Sequence, residues 1–301
     1  MVKPNDNPAA VSLRFFTPCE VLRPYLTTIY RLTTIAPIAD PVADLLHPEW
    51  ANVRFVTGDP AIAAIGGEPR RTMPRAIMAG PSSRATYFAC GTMRAWGVGL
   101  LPTGWQRFVA TPADAYADRL INLVEVTALR PLARIAEAIG DDTDSEEVTL
   151  TRIEGQLLAL LADAPREDPL VWRAHAALVD DSVASVAEWG ARIGVSPRTL
   201  ERISTRAFGF APKLLLRRQR FLRSLARFML NPQMQWTHTI DHRYCDQPQF
   251  VRDFARFMGM GAREYAALPH PILEAAARAR MAHAGAAMQG LHAPVAPSRS
   301  A

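Results

Sequence analysis

His238 and His242 stand four residues apart in a stretch with helical periodicity, Thr237-His-Thr-Ile-Asp-His-Arg-Tyr. That spacing lets two imidazoles share a metal ion. A metalloprotease needs a glutamate directly after the first histidine, where Thr239 stands, and a zinc site needs a third ligand that the neighbourhood does not supply. An exposed helix face is the plainer reading of the pair. His47, ahead of Pro48 and Glu49, belongs to no His-x-His cluster of the kind a barrel metal site uses. Gly97-Val-Gly-Leu-Leu-Pro-Thr-Gly has neither the dinucleotide-binding nor the Walker A spacing, and no serine sits in a nucleophile elbow. Cys19, Cys90 and Cys245 are far apart, odd in number and without an evident base, which argues against thiol catalysis, a zinc ribbon and a disulfide framework. The expectation is therefore a non-enzyme with no catalytic residue, metal or cofactor, in a reducing cytoplasm.

Charge placement is more informative. The chain has 301 residues, enough for about two domains, and a net charge of +5. Residues 1–170 carry 16 Lys+Arg against 20 Asp+Glu, a net of −4, whereas 171–301 carry 18 against 9, a net of +9. Such asymmetry points to a polyanionic partner for the second half. From Arg198 to Arg227 nine cationic residues face a single acid, Glu201. A solvated charged face is the alternative, but a face of one sign repels itself unless a polyanion neutralises it. The N-terminus lacks an apolar stretch of signal-peptide length and no segment is long enough to span a bilayer, so a cytoplasmic protein is expected.

The elements that must position these charges follow from periodicity and caps. Ser185 opens a helix to about Ile193 that turns Val186 and Ile193 inward, with Gly190 mid-helix, where a small residue makes sense if another helix crosses closely above it. Gly194-Val195 is the turn, Ser196 is an N-cap with Pro197 at the first helical position, and the second helix carries Leu200 and Ile203 inward. Arg198, Thr199, Glu201, Arg202 and Arg206 are left outward, which suits a helix that reads the major groove. A second such unit is expected near Trp236, with a first helix from Thr237 to Tyr244, a turn at Cys245-Asp246, and a helix from Gln247 that buries Phe250, Phe254 and Phe257. There Gln247, Gln249 and Arg252 point outward.

These segments resemble the DNA-binding domain of AraC-type regulators. The likeness rests on Ser196-Pro-Arg-Thr-Leu-Glu-Arg, Phe208-Gly-Phe-Ala-Pro-Lys, the linking helix ending in Arg220, and Tyr244-Cys-Asp-Gln-Pro-Gln-Phe-Val-Arg-Asp-Phe with Gly259 and Tyr265. It covers about one hundred residues. The resemblance implies two helix-turn-helix units entering successive major grooves about 34 Å apart. Arg198, Glu201 and Arg202, with Thr199 beside them, and Gln247, Gln249 and Arg252 then contact bases; Arg206, Lys213, Arg217, Arg218 and Arg256 contact phosphate. Four positions depart from the pattern: Ser204 for a buried Phe, Thr239 for a small residue, Arg243 for a glycine and Ala262 for a proline. The second unit is thus the more divergent.

The chain from Val11 to Val126 is broken by Pro and Gly, and Ala51–Pro60, Ala85–Gly91 and Arg94–Pro102 read as strands. Together with Val21-Leu-Arg-Pro-Tyr-Leu, Leu46-His-Pro-Glu-Trp and Trp96-Gly-Val-Gly-Leu-Leu-Pro-Thr-Gly-Trp, this half resembles an uncharacterised cupin-like domain often fused ahead of such regulators. The aromatics Trp50, Phe55, Tyr87, Trp96 and Trp105 line an effector pocket on one reading and are ordinary core on another. Arg130–Ile139 and Val148–Leu161 are amphipathic, with Ile153, Leu157, Leu160 and Leu161 on one face for core packing or a dimer seam. The expected fold is α+β: a mainly β domain over 11–128 for sensing or dimerisation, a helical connector over 129–170, an all-α domain with two helix-turn-helix units over 171–268, and a largely disordered tail over 269–301. The partners expected are double-stranded DNA, a small-molecule effector and RNA polymerase, the protein being a monomer or homodimer away from membranes. The rival reading is an enzymatic or small-molecule-binding module whose helical half serves assembly alone; a third gives the β domain dimerisation and no ligand.

Overall fold

A computed structural model describes residues 10–140, 143–166 and 168–296. The N-terminal half is built of antiparallel strands: β1 Ala10–Phe16, β2 Leu26–Ile35, β3 Val42–Leu46, β4 Asn52–Gly58, β5 Ile62–Ile65, β6 Arg71–Thr72, β7 Ala76–Ala79, β8 Thr86–Cys90, β9 Met93–Leu100 and β10 Leu120–Asn122. They form a six-stranded sheet in the order β1-β2-β9-β4-β7-β10 and a four-stranded sheet in the order β3-β8-β5-β6. Successive side chains of a strand point to opposite faces, and here both faces of the larger sheet are covered. Leu32, Val56 and Ala95 meet Phe88 and Ile65 of the smaller sheet. Val53, Phe55, Trp96 and Val98 pack instead against helices, which explains why β7 and β9 read as apolar runs rather than alternating ones. The register pairs Tyr30 with Gly97. A Cβ at Gly97 would lie 2.0 Å from the Tyr30 ring, so only glycine lets the ring cross β9.

The helices on that outer face are α1 Pro102–Phe108, α2 Arg130–Ile139 and α3 Glu146–Ala162. Ser145 caps α3 by accepting from the Val148 amide, as its position ahead of the helix implies. Leu132, Ile135, Ile153, Leu157 and Leu161 share one core with Phe55 and Trp96, so the apolar stripe of α3 is spent inside the chain rather than on a dimer seam.

The C-terminal half contains α4 Pro169–Val179, α5 Val186–Ile193, α6 Pro197–Ile203, a π-helical turn Ser204–Phe208, α7 Pro212–Leu230, α8 Trp236–Thr239, α9 Gln247–Met258, α10 Ala262–Ala266 and α11 Leu273–Ala284. Trp189, Ile193, Leu200, Ile203 and Phe208 close the first three-helix unit, and Phe221, Phe250, Phe254, Phe257 and Tyr265 close the second. α7 links them. Neither core is purely its own: Trp50 and Leu101 of the β half enter the first, and Ala85 with Leu45 and Leu46 enters the second. The two halves are therefore joined through shared cores.

Two expectations are corrected. The helix expected over 237–244 stops at Thr239. Thr239 Oγ1 donates to the Trp236 carbonyl, and buried Asp241 accepts from the Arg243 amide while its own amide donates to Ser224 Oγ, so local side-chain bonds replace the helical ones. His238 and His242 consequently share no helical face, and among the described residues no three-ligand metal cluster occurs. The tail is also not a loose end, since α11 packs on β1 and β3 of the β half and the Val295 carbonyl accepts from Trp172 Nε1 of α4. Asp44, from β3, caps α11 by accepting from the Ile272 and Leu273 amides, a partner more than 220 positions away in sequence. The stretches 1–9 and 297–301, which carry the ends of the leader and disorder readings, lie outside the described residues.

Candidate nucleic-acid interface

α6 is set by its own chemistry. Ser196 accepts from the Thr199 amide and Pro197 opens the helix. The preceding turn is closed by Gly194 at φ 73°, a left-handed conformation that glycine adopts at no steric cost. A Cβ at Gly190 would come within 3.2 Å of the Val195 carbonyl, so it is the following turn rather than a crossing helix that crowds this position. With Leu200 and Ile203 buried, Arg198, Glu201, Arg202 and Arg206 are exposed and Thr199 half-buried. α9 repeats the device: Asp246 accepts from the Gln249 amide, Pro248 follows, and Phe250, Phe254 and Phe257 turn inward. Gln247, Arg252 and Arg256 are exposed; Gln249 is half-buried, its Oε1 accepting from the Cys245 amide. Each unit therefore presents a capped helix whose outward side chains can donate to and accept from base edges.

Between the units lies a basic groove of about 500 Å³ that the sequence reading found only in part. Lys213, Arg217, Arg220 and Arg223 line it from α7, joined by Arg243 and by Ser185 and Val186 at the start of α5. Beneath it sit two fully buried carboxylates. Asp253 accepts from Arg217 Nε (3.0 Å) and from the Tyr244 hydroxyl (3.2 Å), with Arg220 at 3.8 Å. Asp241 accepts from Arg223 Nε at 2.6 Å. Burial works against its ionisation, but the Arg223 bond and the Arg243 amide prevail and hold it below the usual carboxylate range. Five cations over two carboxylates leave a net of +3 in the groove. The signal for Arg220 and Arg223 was their spacing with Lys213 and Arg217 at three and four positions along one helix; Arg243 stood out only as a departure from a glycine.

Two groups of expected site residues are placed elsewhere. Arg218 is fully buried, its guanidinium 4.0 Å over the Trp50 ring and donating to the Ser82 carbonyl at 2.8 Å. It ties α7 to the β half and does not face solvent, because α7 buries the face that carries Arg218, Leu222 and Leu225. Burial pulls its guanidinium below the ordinary value, with Asp118 and Glu49 opposing. None of Trp50, Phe55, Tyr87, Trp96 and Trp105 lines the cavity between the sheets. On β4 the cavity face is Asn52, Arg54 and Val56, so Phe55 points the other way. Trp96 and Trp105 pack with it in the helix-facing core, Trp50 belongs to the first unit's core, and Tyr87 lies under Arg70 at 3.7 Å.

The cavity itself, about 100 Å³, is apolar along Leu13, Leu32, Val56 and Phe88 and polar at one end. There Arg54 donates to Tyr30 Oη (2.9 Å) and Glu49 Oε1 (2.6 Å), and the Tyr30 hydroxyl donates to Asn52 Oδ1 (3.1 Å). No helix among the described residues is long and apolar enough to cross a membrane.

No family model and no curated protein matches the chain. Among solved structures it is similar to ToxT from Vibrio cholerae O395, with TM-score 0.41, 11% identity, and coverage of 80% of this chain and 96% of that one. A second structure of ToxT from Vibrio cholerae gives TM-score 0.45 at 9% identity, covering 86% and 97%. The AraC-like transcriptional activator CuxR gives 0.30 at 12% identity, covering 72% and 87%.

Proposed function

We propose that the protein is a sequence-specific DNA-binding transcriptional regulator of the AraC type, acting in the cytoplasm and without catalytic activity. The observation that carries this reading is the repeated capped helix. α6 and α9 each bury an apolar face in a three-helix unit and turn Arg, Gln and Glu outward, and the groove along α7, between the start of α5 and Gln249 of α9, retains three positive charges. The two helices enter successive major grooves and read bases, while the groove along α7 neutralises phosphate. An assembly surface would instead expose a contiguous apolar face, whereas the one large apolar side chain that α6 and α9 expose is Val251. The cavity between the sheets takes a small-molecule effector.

Arg202→Ala costs about 1–3 kcal/mol of binding to the cognate site and relaxes preference at one base pair, because an exposed arginine on a recognition helix pairs bidentately with guanine. Competition binding with cognate and random duplexes checks this; equal losses on both would assign Arg202 to phosphate and remove it from base recognition.

The buried and exposed cations of α7 should behave differently. Lys213→Ala lowers the slope of log K against log salt by about one unit. Arg218→Met leaves the slope unchanged, since Arg218 is occupied inside the protein. Titrations at four salt concentrations separate the two, and a fall in slope for Arg218→Met would place that side chain on DNA.

A further inference from the structure

Past α10 the chain returns to the β half and closes it. Ile272 and, from α11, Leu273, Ala276 and Arg280 form one wall of the cavity. This segment is held both by buried Ile272, Leu273, Ala277, Ala287 and Met288 and by polar contacts to partners remote in sequence. Asp44 Oδ2 accepts from the Ile272 and Leu273 amides at 3.0 and 2.9 Å, and its Oδ1 lies 3.2 Å from His270 Nδ1. Gln219 of α7 donates to the Gly290 carbonyl at 2.8 Å, so the same segment touches the helix that links the two DNA-binding units. Half of the twelve residues of α11 are alanine, which bury little apolar area each.

Arg280 is the anomaly in this arrangement. It is only 8% exposed, it donates Nη1 to Thr28 Oγ1 at 3.0 Å, and its guanidinium lies 4.5 Å over the Phe15 ring. No carboxylate among the described residues pairs with it. Glu49, the acid lining the same cavity, is already engaged by Arg54 at 2.6 Å. With the Gln289 amide oriented to satisfy its neighbours, Glu49 also accepts from it at 3.1 Å. Two guanidinium groups and one carboxylate leave one positive charge uncompensated beside a cavity of about 100 Å³. A buried cation without a paired counter-charge opposes the packing that buries it.

We propose that residues 270–291 are an anion-dependent strap: a small organic anion in the cavity supplies the counter-charge that Arg280 lacks, and the strap seats tightly on the β half only when that anion is bound. The ligand has one carboxylate-like group for Arg280 and a short apolar body for the cavity. An apolar cavity of about 150 Å³ takes benzene, so this one takes a body of about four carbons. Because the strap also holds α7 through Gln219, anion binding is transmitted to the DNA-binding half. The inference deepens the reading of the cavity as an effector site and is independent of DNA binding.

Hydrogen exchange of the α11 amides in the full-length protein, without DNA, tests it with butyrate and its neutral counterpart butyramide as probes. Saturating butyrate slows exchange over 273–284 at least about tenfold, the least that one new charge-assisted hydrogen bond provides; butyramide does not. Arg280→Met removes the buried charge, so its α11 amides exchange slowly without any ligand and ignore butyrate. Equal slowing by butyrate and butyramide, or no slowing by butyrate, overturns the proposal with the unaltered protein alone. A butyrate response that survives in Arg280→Met, or in Arg280→Gln if the methionine variant does not fold, overturns the role of Arg280. DNA affinity is measured separately, so a failure of the regulator reading is distinguishable from a failure of the strap.

Discussion

Asp253→Ala lowers stability by about 3 kcal/mol, a fall in Tm on the order of 5–10 °C. Asp253 is fully buried on α9, while the groove it underlies belongs mainly to α7. Its carboxylate takes Arg217 through two nitrogens, the Tyr244 hydroxyl and, at 3.8 Å, Arg220. Burial and the adjacent carboxylate push the Tyr244 phenol far above its ordinary value, so it stays a donor at any working pH. Alanine leaves that donor unsatisfied and releases two guanidinium groups. The expected loss sits at the low end for breaking a buried pair because the Arg217 side chain, at 32% exposure, can rehydrate. Asp253→Asn keeps an acceptor, costs less stability and raises the charge of the groove by one, so it binds random DNA more tightly at low salt. Thermal melts check the first expectation and random-duplex titrations the second. An unchanged Tm for the alanine variant would mean that the Asp253 network does not hold α7 to α9.

Stability should also fall steeply in mild acid. His175 is fully buried between Trp50 and Phe208, with neither ring nitrogen partnered among the described residues. Burial lowers its pKa to about 3, with His292 and Arg218 acting in the same direction. His47, bonded to Tyr265 Oη at 2.7 Å, is lowered to about 3 by burial, against the opposing charge of Asp44. Both are neutral when folded and protonate near pH 6.5 when unfolded, so the unfolded chain binds more protons and acid favours it. Between about pH 6.5 and 3 the two together remove about 3 kcal/mol per pH unit. His270 has the opposite sign. Burial lowers its pKa, but Asp44 and the Tyr265 carbonyl outweigh that and raise it; its contribution is full below pH 6.5 and is lost as pH rises through the folded value. Urea titrations at pH 7 and 5 measure the sum. His175→Phe, which keeps an aromatic ring against Trp50, should flatten the dependence by about 1 kcal/mol per pH unit; an identical slope would show that His175 is not buried neutral.

What the sequence made legible was local. Ser196-Pro197 and Asp246 with Pro248 mark helix starts by chemistry that acts within four residues, and both helices lie where these signals put them. The apolar spacing of Phe250, Phe254 and Phe257 likewise decided which face of α9 is buried. What escaped was set by partners remote in sequence. Arg218 looks like its neighbours Arg217 and Arg220 along α7 until Trp50 and the Ser82 carbonyl, well over a hundred positions away, are in place. α11 is rich in alanine and followed by Gly and Pro, and composition alone read the region as disordered; the Asp44 cap comes from β3. The aromatics expected in a pocket were identified by type, but the alternation of β4 decides orientation, and Arg54 rather than Phe55 faces the cavity.

The most direct test of the central claim is selection of genomic DNA fragments by the purified full-length protein at two salt concentrations, followed by sequencing. A shared motif with two half-sites about one helical turn apart, and occupancy that falls as salt rises, is the predicted result. Absence of binding at both salt concentrations, or binding that enriches no motif, would contradict sequence recognition by α6 and α9.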